Sequence, residues 1–247
     1  MPQELKSVKP NPIALLVVGG AGCGKSTLAS LFPRPYFLDI DKNLAGPKKV
    51  WREEYKKDCP VLFDHIDVDE NGKEIPMPQQ YLRFAKLLKD AASGDFCDTI
   101  VIDTTTSLSD VIMAEVLRQS PTKTGKMEIP SWGEYLFMWK KLISLIRSCP
   151  KNVIFNGHYE IQKNDLDQVL RYAFALPGKI GELLPGMFTD VWRLYVDMKL
   201  VGGKQTPVRM ISTLQSERYP NLKSSLSMPN SIEVTPDNIK QILASNV

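Results

Sequence analysis

The sequence is poor in the residues that build metal centres and disulfide scaffolds, with four cysteines and two histidines in 247 residues. Cys23, Cys59, Cys97 and Cys149 are widely scattered with no C-x-x-C pair, and His65 and His158 stand alone, so no zinc pattern is expected. Reduced thiols in a cytoplasmic protein are the simple expectation. No apolar run is long enough to span a bilayer, and residues 1–12 carry charges and three prolines without an apolar core, so neither a membrane partner nor a signal peptide is expected. An excess of charge is missing too. The formal net charge of +3 is too small to imply a nucleic-acid partner, although a local basic groove can sit inside a near-neutral total. There are no repeats and no strong linker. The expected organisation is a polar lead-in over residues 1–12 and one α/β domain over 13–247, a size and a 43% hydrophobic content that suit a sizeable core.

What the sequence does have is concentrated at residues 13–27. Ile13–Val18 is apolar on both faces, as a central parallel strand should be. Gly19, Gly20, Ala21, Gly22, Cys23, Gly24, Lys25, Ser26 and Thr27 follow, and they fit the phosphate-loop pattern G-x-x-x-x-G-K-[ST]. Glycines let the backbone adopt positive φ and bring N–H groups close to phosphate oxygens. The lysine reaches the β- and γ-phosphates, and the serine hydroxyl is placed to hold a magnesium ion.

Further along, Tyr36–Ile40 is a short strand leading into Asp41, and Gln79–Ala92 has a helical apolar stripe of Tyr81, Phe84, Ala85 and Leu88. Val50–Lys57 is expected as a short helix, and Val61–Asp67 and Lys73–Ile75 as arms of a hairpin around Asn71-Gly72. Thr99–Asp103 is an apolar run ending in a carboxylate, the form of a Walker B strand, with a helix expected over Ser107–Arg118. Gln119–Pro130 is expected as a polar loop. Ser131 and Glu134 form a capping box for a helix whose apolar face is Trp132, Tyr135, Leu136, Trp139, Leu142, Ile143 and Ile146. Asn152–Asn156 is another buried strand, tipped by Gly157-His158. Residues 159–190 are expected as a long loop, and 215–234 as irregular chain. Val191–Val201 and Pro207–Leu214 form a hairpin around Gly202-Gly203, and Thr235-Pro236 start a final helix. Alternating strands and helices predict a mostly parallel sheet covered on both faces, with a C-terminal β-hairpin.

One absence narrows the chemistry. Asp103 is followed by Thr104, so the water-activating glutamate that many ATP-driven enzymes carry after the Walker B aspartate is missing. Hydrolysis still needs a group to orient water. Asp41 is the best spare carboxylate, with Asp39 competing. The polar tip Asn156-Gly157-His158 would lie near the γ-phosphate.

The phosphate loop, Phe37–Asp41, Ile100–Asp103, Trp132–Tyr135, Asn152–Glu160 and Leu176–Lys179 together resemble the phage nucleotide-binding ATPases with a RecA-like core. Some of those are single-strand annealing proteins of phage recombination. The resemblance implies a RecA-like P-loop fold, ATP with Mg2+, and self-assembly into a ring or filament on single-stranded DNA, with a single-strand-binding protein as a further partner. It assigns Asp41 to the catalytic carboxylate position and His158 to the sensor position, beside Lys25 and Asp103. It implies that Ser26 and Asp103 hold the metal. Residues 119–130 and 160–187 correspond to DNA-contacting loops, whose basic residues are Lys123, Lys126, Lys163, Arg171 and Lys179. Lys199, Lys204, Arg209 and Arg218 are candidates to reach a neighbouring subunit's γ-phosphate, with Arg218 favoured. Two other classes fit a bare phosphate loop: a small-molecule kinase, and an assembly module gated by ATP without turnover. In all three, Lys25→Ala is expected to abolish nucleotide binding or turnover, checked by titration with ATP and by phosphate release.

Overall fold

A computed structural model describes residues 12–121, 125–164, 166 and 168–245. The chain begins with β1 (Ala14–Val18), α1 (Lys25–Ala29), β2 (Pro35–Asp39), α2 (Ala45–Glu53), β3 (Leu62–His65) and α3 (Met77–Ser93). It continues with β4 (Thr99–Asp103), α4 (Thr105–Gln119), α5 (Ile129–Arg147), β5 (Asn152–Gly157), β6 (Tyr159–Lys163), β7 (Val169–Phe174) and α6 (Ile180–Met187). It closes with β8 (Asp190–Val201), β9 (Lys204–Ser212), β10 (Ser231–Glu233) and α7 (Pro236–Ala244).

Eight strands form one sheet in the order β10-β9-β8-β1-β5-β4-β2-β3, and β6 and β7 form a separate ribbon. The six strands from β8 to β3 are parallel, while β9 and β10 continue the sheet antiparallel. Side chains alternate across the pleat, so each central strand feeds two cores. Ala14, Leu16 and Val18 of β1 pack on the face covered by α3, α4 and α5, and Leu15 and Val17 pack on the face covered by α1 and α7. Each buried valine or leucine among them contributes about 1.5–3 kcal/mol of apolar transfer. Helix α5 buries Tyr135, Trp139, Leu142, Ile143 and Ile146 at helical spacing, and the Tyr135 hydroxyl meets Ser109 Oγ of α4 at 2.7 Å.

The expected mostly parallel sheet, the C-terminal hairpin and the Thr235 cap are all present, the last with Thr235 Oγ1 accepting from Asn238 N. Five local expectations are corrected. The hairpin around Asn71-Gly72 is shorter than expected: β3 pairs parallel with β2, and only residues 67–69 pair with 73–75, with Asp69 N donating to Lys73 O at 2.9 Å and Ile75 N to Asp67 O at 2.7 Å around the Val68–Glu74 bridge. There the Asp69 carboxylate accepts from the N–H groups of Asn71 and Lys73, a local turn that needs no flanking strands. Helix α2 lies upstream of its expected place because Leu44 starts it and Pro47 fits its first turn. Helix α5 likewise starts at Ile129, with Pro130 in the first turn, so Ser131 is buried inside the helix and makes no capping box. The stretch 159–190 is a ribbon and a helix, held by tyrosine contacts that local patterning does not register. Within 215–234, β10 adds an edge strand to β9.

Asp190, at the start of β8, is fully buried and ties the 224–225 segment to the sheet. Its carboxylate accepts from Ser224 Oγ at 2.9 Å and from Ser225 N and Oγ at 2.7 Å each. Removing the acceptor strands three donors. Asp190→Ala is expected to cost about 2–4 kcal/mol, and Asp190→Asn less, measured as urea unfolding midpoints.

Candidate nucleotide site

Parallel register sets the site. Asp39 pairs with Asp103, Asp103 with Asn156, and Asn156 with Val17, so four strand ends stop in one row beside the loop that leaves β1. The loop follows the expected backbone: Gly22 has φ +73° and Gly24 φ +101°. A Cβ on Gly19 would come within 2.5 Å of Leu194 O, so the loop also packs too tightly on β8 for a side chain there.

Lys25 is 6% exposed and its ammonium is folded against the loop, donating to Gly19 O at 3.1 Å and Gly20 O at 3.0 Å. It also lies 3.3 Å from His158 Nδ1. Burial lowers the pKa of Lys25, while the nearby carboxylates of Asp103 and Asp41 act the other way. Burial and then the Lys25 charge lower the pKa of His158 as well, which favours a neutral imidazole beside the ammonium. Ser26 Oγ donates to Asp103 Oδ2 at 2.5 Å. Burial pushes the Asp103 carboxyl up to about 6, against the hydrogen bond from Ser26. Asn156 sits close enough to Asp103 to oppose that rise, yet its fully buried side-chain amide reaches no partner at hydrogen-bond geometry.

The structure separates the two competing carboxylates. Asp41 lines a cavity of about 580 Å³ with Lys25, Ser26, Asp103 and His158. Its carboxylate accepts from Ser107 Oγ, and its N–H bonds Asp103 O at 3.3 Å. Asp39 is outside that cavity, 2% exposed, with Oδ1 accepting from Asn43 N and Oδ2 3.5 Å from His65 Nδ1. The donor set fits a nucleoside triphosphate with a hard divalent cation: an ammonium, a glycine-rich loop, a hydroxyl and a carboxylate that a cation would hold ionised.

Other expected residues fall elsewhere. Cys23 and Thr27 are buried in the loop and the first helix, and Ala21, Gly22 and Thr27 border the cavity. Lys163 and Arg171 lie on the β6–β7 ribbon, and Lys179 caps α6; all three are exposed. Lys126 is exposed beside Gly125, and Lys123 lies outside the described residues. Arg218 does not border the cavity; its carbonyl accepts from Tyr172 N at 2.9 Å. Arg209 does border it, together with Lys49, Val50 and Glu54 of the α2 region. No sequence pattern marks that wall, since α2 comes over the loop only through the packing of the chain around β2.

A parallel sheet with a phosphate loop after β1 and a serine–carboxylate pair beside it defines a P-loop NTPase, a nucleotide-binding protein. The chain belongs to the AAA domain family, which matches residues 11–221. A solved structure of a KaiC-like protein from the hyperthermophilic archaeon Pyrococcus horikoshii is similar at 14% identity and a TM-score of 0.42, covering 93% of each chain. No curated protein matches the sequence. Among the described residues no helix is long and apolar enough to cross a membrane.

The raised Asp103 pKa has a defined sign. Between pH ~4 and ~6 the folded protein keeps a proton that the unfolded chain has lost, so stability falls as pH rises through that window and levels off above it. Asp103→Asn lacks this titration. Its stability relative to wild type is expected to rise by about 1–3 kcal/mol from pH 4 to 6 and then plateau, measured by urea unfolding without metal.

Proposed function

We propose that the protein is a RecA-like ATPase that binds ATP with Mg2+, hydrolyses it, and acts on single-stranded DNA in phage-type recombination or annealing as a ring or filament of identical subunits. The observation that carries the reading is the convergence of Lys25, Ser26, Asp41, Asp103 and His158 on one cavity from four separate strand ends. Lys25 and the loop N–H groups hold the phosphates and stabilise charge as water attacks the γ-phosphate in line. Ser26 and Asp103 would hold Mg2+, which supplies positive charge to the phosphate oxygens when bound. Asp41 orients the attacking water, held in place by Ser107. His158, neutral and next to Lys25, responds to the γ-phosphate and passes the response to the β6–β7 ribbon.

That last link has a mechanical basis. A Cβ on Gly157 would come within 2.1 Å of the Phe174 ring, and Ala175 N donates to His158 O at 2.9 Å. The ribbon is therefore packed hard on the strand end that carries His158. A second cleft, of about 420 Å³, supports the single-strand reading. It is lined by Tyr159, Tyr172, Tyr219 and Arg193, and shares Ala21 and Gly22 with the nucleotide cavity. Tyr172 and Tyr219 stack at 4.6 Å, and the Arg193 guanidinium lies 4.2 Å from the Tyr219 ring. Clefts that gather aromatic and guanidinium groups bind unpaired bases with little regard to sequence; here a base would displace a contact on Tyr219, which Tyr172 and Arg193 already cover.

The test is phosphate release by the purified protein with and without single-stranded DNA, beside Lys25→Ala. Stimulation by DNA that vanishes in the variant is the expected result. A basal rate that DNA leaves unchanged counts against the DNA role. Asp41→Asn is expected to keep ATP affinity and to lose about a hundredfold or more in turnover. An unchanged rate removes Asp41 from the mechanism.

A further inference from the structure

Arg209 belongs to β9, far in sequence from the phosphate loop, and its side chain crosses the mouth of the nucleotide cavity. The stem lies flat on the loop: a Cβ on Gly24 would sit 2.7 Å from both Cδ and Nε of Arg209. Beyond the loop, Nη1 donates to both carboxylate oxygens of Glu54, at 3.2 and 3.0 Å. Glu54 caps the C-terminal end of α2. The two side chains are 28% and 50% exposed, and an ion pair that open to solvent adds little to folding stability. The fold thus gives no reason to thread a guanidinium between a glycine of the phosphate loop and a helix end.

The chemistry of the cavity does give one. A guanidinium presents five N–H donors in a planar fork that matches phosphate oxygens, and Glu54 occupies only one of its nitrogens. A polyphosphate seated on the loop carries more negative charge than one carboxylate, and it sits against Gly24, where the arginine already lies. We propose that Arg209 is a same-chain ligand for the phosphates of the bound nucleotide, and that Glu54 competes with those phosphates for it. Nucleotide binding then exchanges one partner of Arg209 for another and releases the C-terminal end of α2, so occupancy of the cavity is communicated to that helix. The inference rests on the nucleotide-binding reading of the loop. It assigns to the chain's own cavity an arginine that sequence reasoning grouped with residues reaching a neighbouring subunit.

The experiment is equilibrium titration of the full chain with a methylanthraniloyl-labelled ATP, read by fluorescence, with thermal unfolding run on every variant. Arg209→Ala is expected to weaken binding about tenfold or more. Arg209→Lys is expected to recover part of that loss, since it keeps the charge and loses the fork. Glu54→Gln is expected to bind as tightly as wild type or several-fold tighter, because the competitor is gone. Wild-type affinity in Arg209→Ala, with Lys25→Ala weak, overturns the proposal while leaving the loop reading intact. Tight binding by Lys25→Ala overturns the loop reading and this proposal together. A loss in Glu54→Gln equal to that in Arg209→Ala makes the pair a strut of the cavity wall and also overturns it. Finally, an excess of Lys25→Ala subunits is added to Arg209→Ala subunits. Unrestored affinity supports a same-chain arginine, and restored affinity shows that a neighbouring subunit supplies it.

Discussion

The parallel alignment of β1, β5, β4 and β2 is the constraint on which the rest of the structure depends. Parallel strands in register end at the same edge, and these four end in a glycine-rich loop, a polar tip and two carboxylate tips. Each strand is buried on both faces, so none can shift by a residue without moving an apolar side chain into the wrong layer. The spacing of Lys25, Ser26, Asp103 and Asn156 is therefore set by core packing far below the site. That is also why the polar residues at the edge are tolerated while almost fully buried: the hydrophobic layers fix the backbone that carries them.

The site balances charges that water does not screen. The Lys25 ammonium is enclosed by loop carbonyls, with Asp103 and Asp41 close enough to favour its charged form. Asp103 is buried deeply enough to hold its proton well above the usual carboxylate range. Burial of this kind costs free energy unless partners are present. Such partners would be a polyphosphate for the lysine and a divalent cation for the carboxylate, the pair of ligands that the proposed function supplies. His158, the Asp41–Ser107 contact and the Arg209–Glu54 pair surround that centre at its rim, where side chains can exchange partners without disturbing the core.

The phosphate loop is also a partition. On one side lies the nucleotide cavity, and on the other the cleft of tyrosines with Arg193. The Phe174 ring lies close against Gly157, joining β5 to the ribbon. The two clefts share the backbone of Ala21 and Gly22 as a common wall.

The chemistry-bearing loop, the Walker-type strand and the capped final helix were all legible because each is written in a few adjacent residues. A glycine at positive φ, an apolar run ending in Asp103, or Thr235 followed by Pro236 carries its meaning locally. The helix starts at Ala45 and Ile129, the parallel pairing of β3 and the ribbon in 159–190 were not legible. They depend on contacts between residues distant in sequence, such as β3 with β2 or Tyr159 with Tyr219. The preference for Asp41 over Asp39 was legible from its place at the strand tip, but the contacts that part them were not. Both are acidic and two residues apart, and only the fold turns Asp39 toward Asn43 and His65 and Asp41 toward Lys25's cavity. The sequence by itself determined that a phosphate loop sits in a parallel α/β sheet, because loop geometry and strand burial are properties of short segments. Tertiary structure alone decided which arginine faces that loop, because its placement follows from how α2 and the β8–β9 hairpin pack around it.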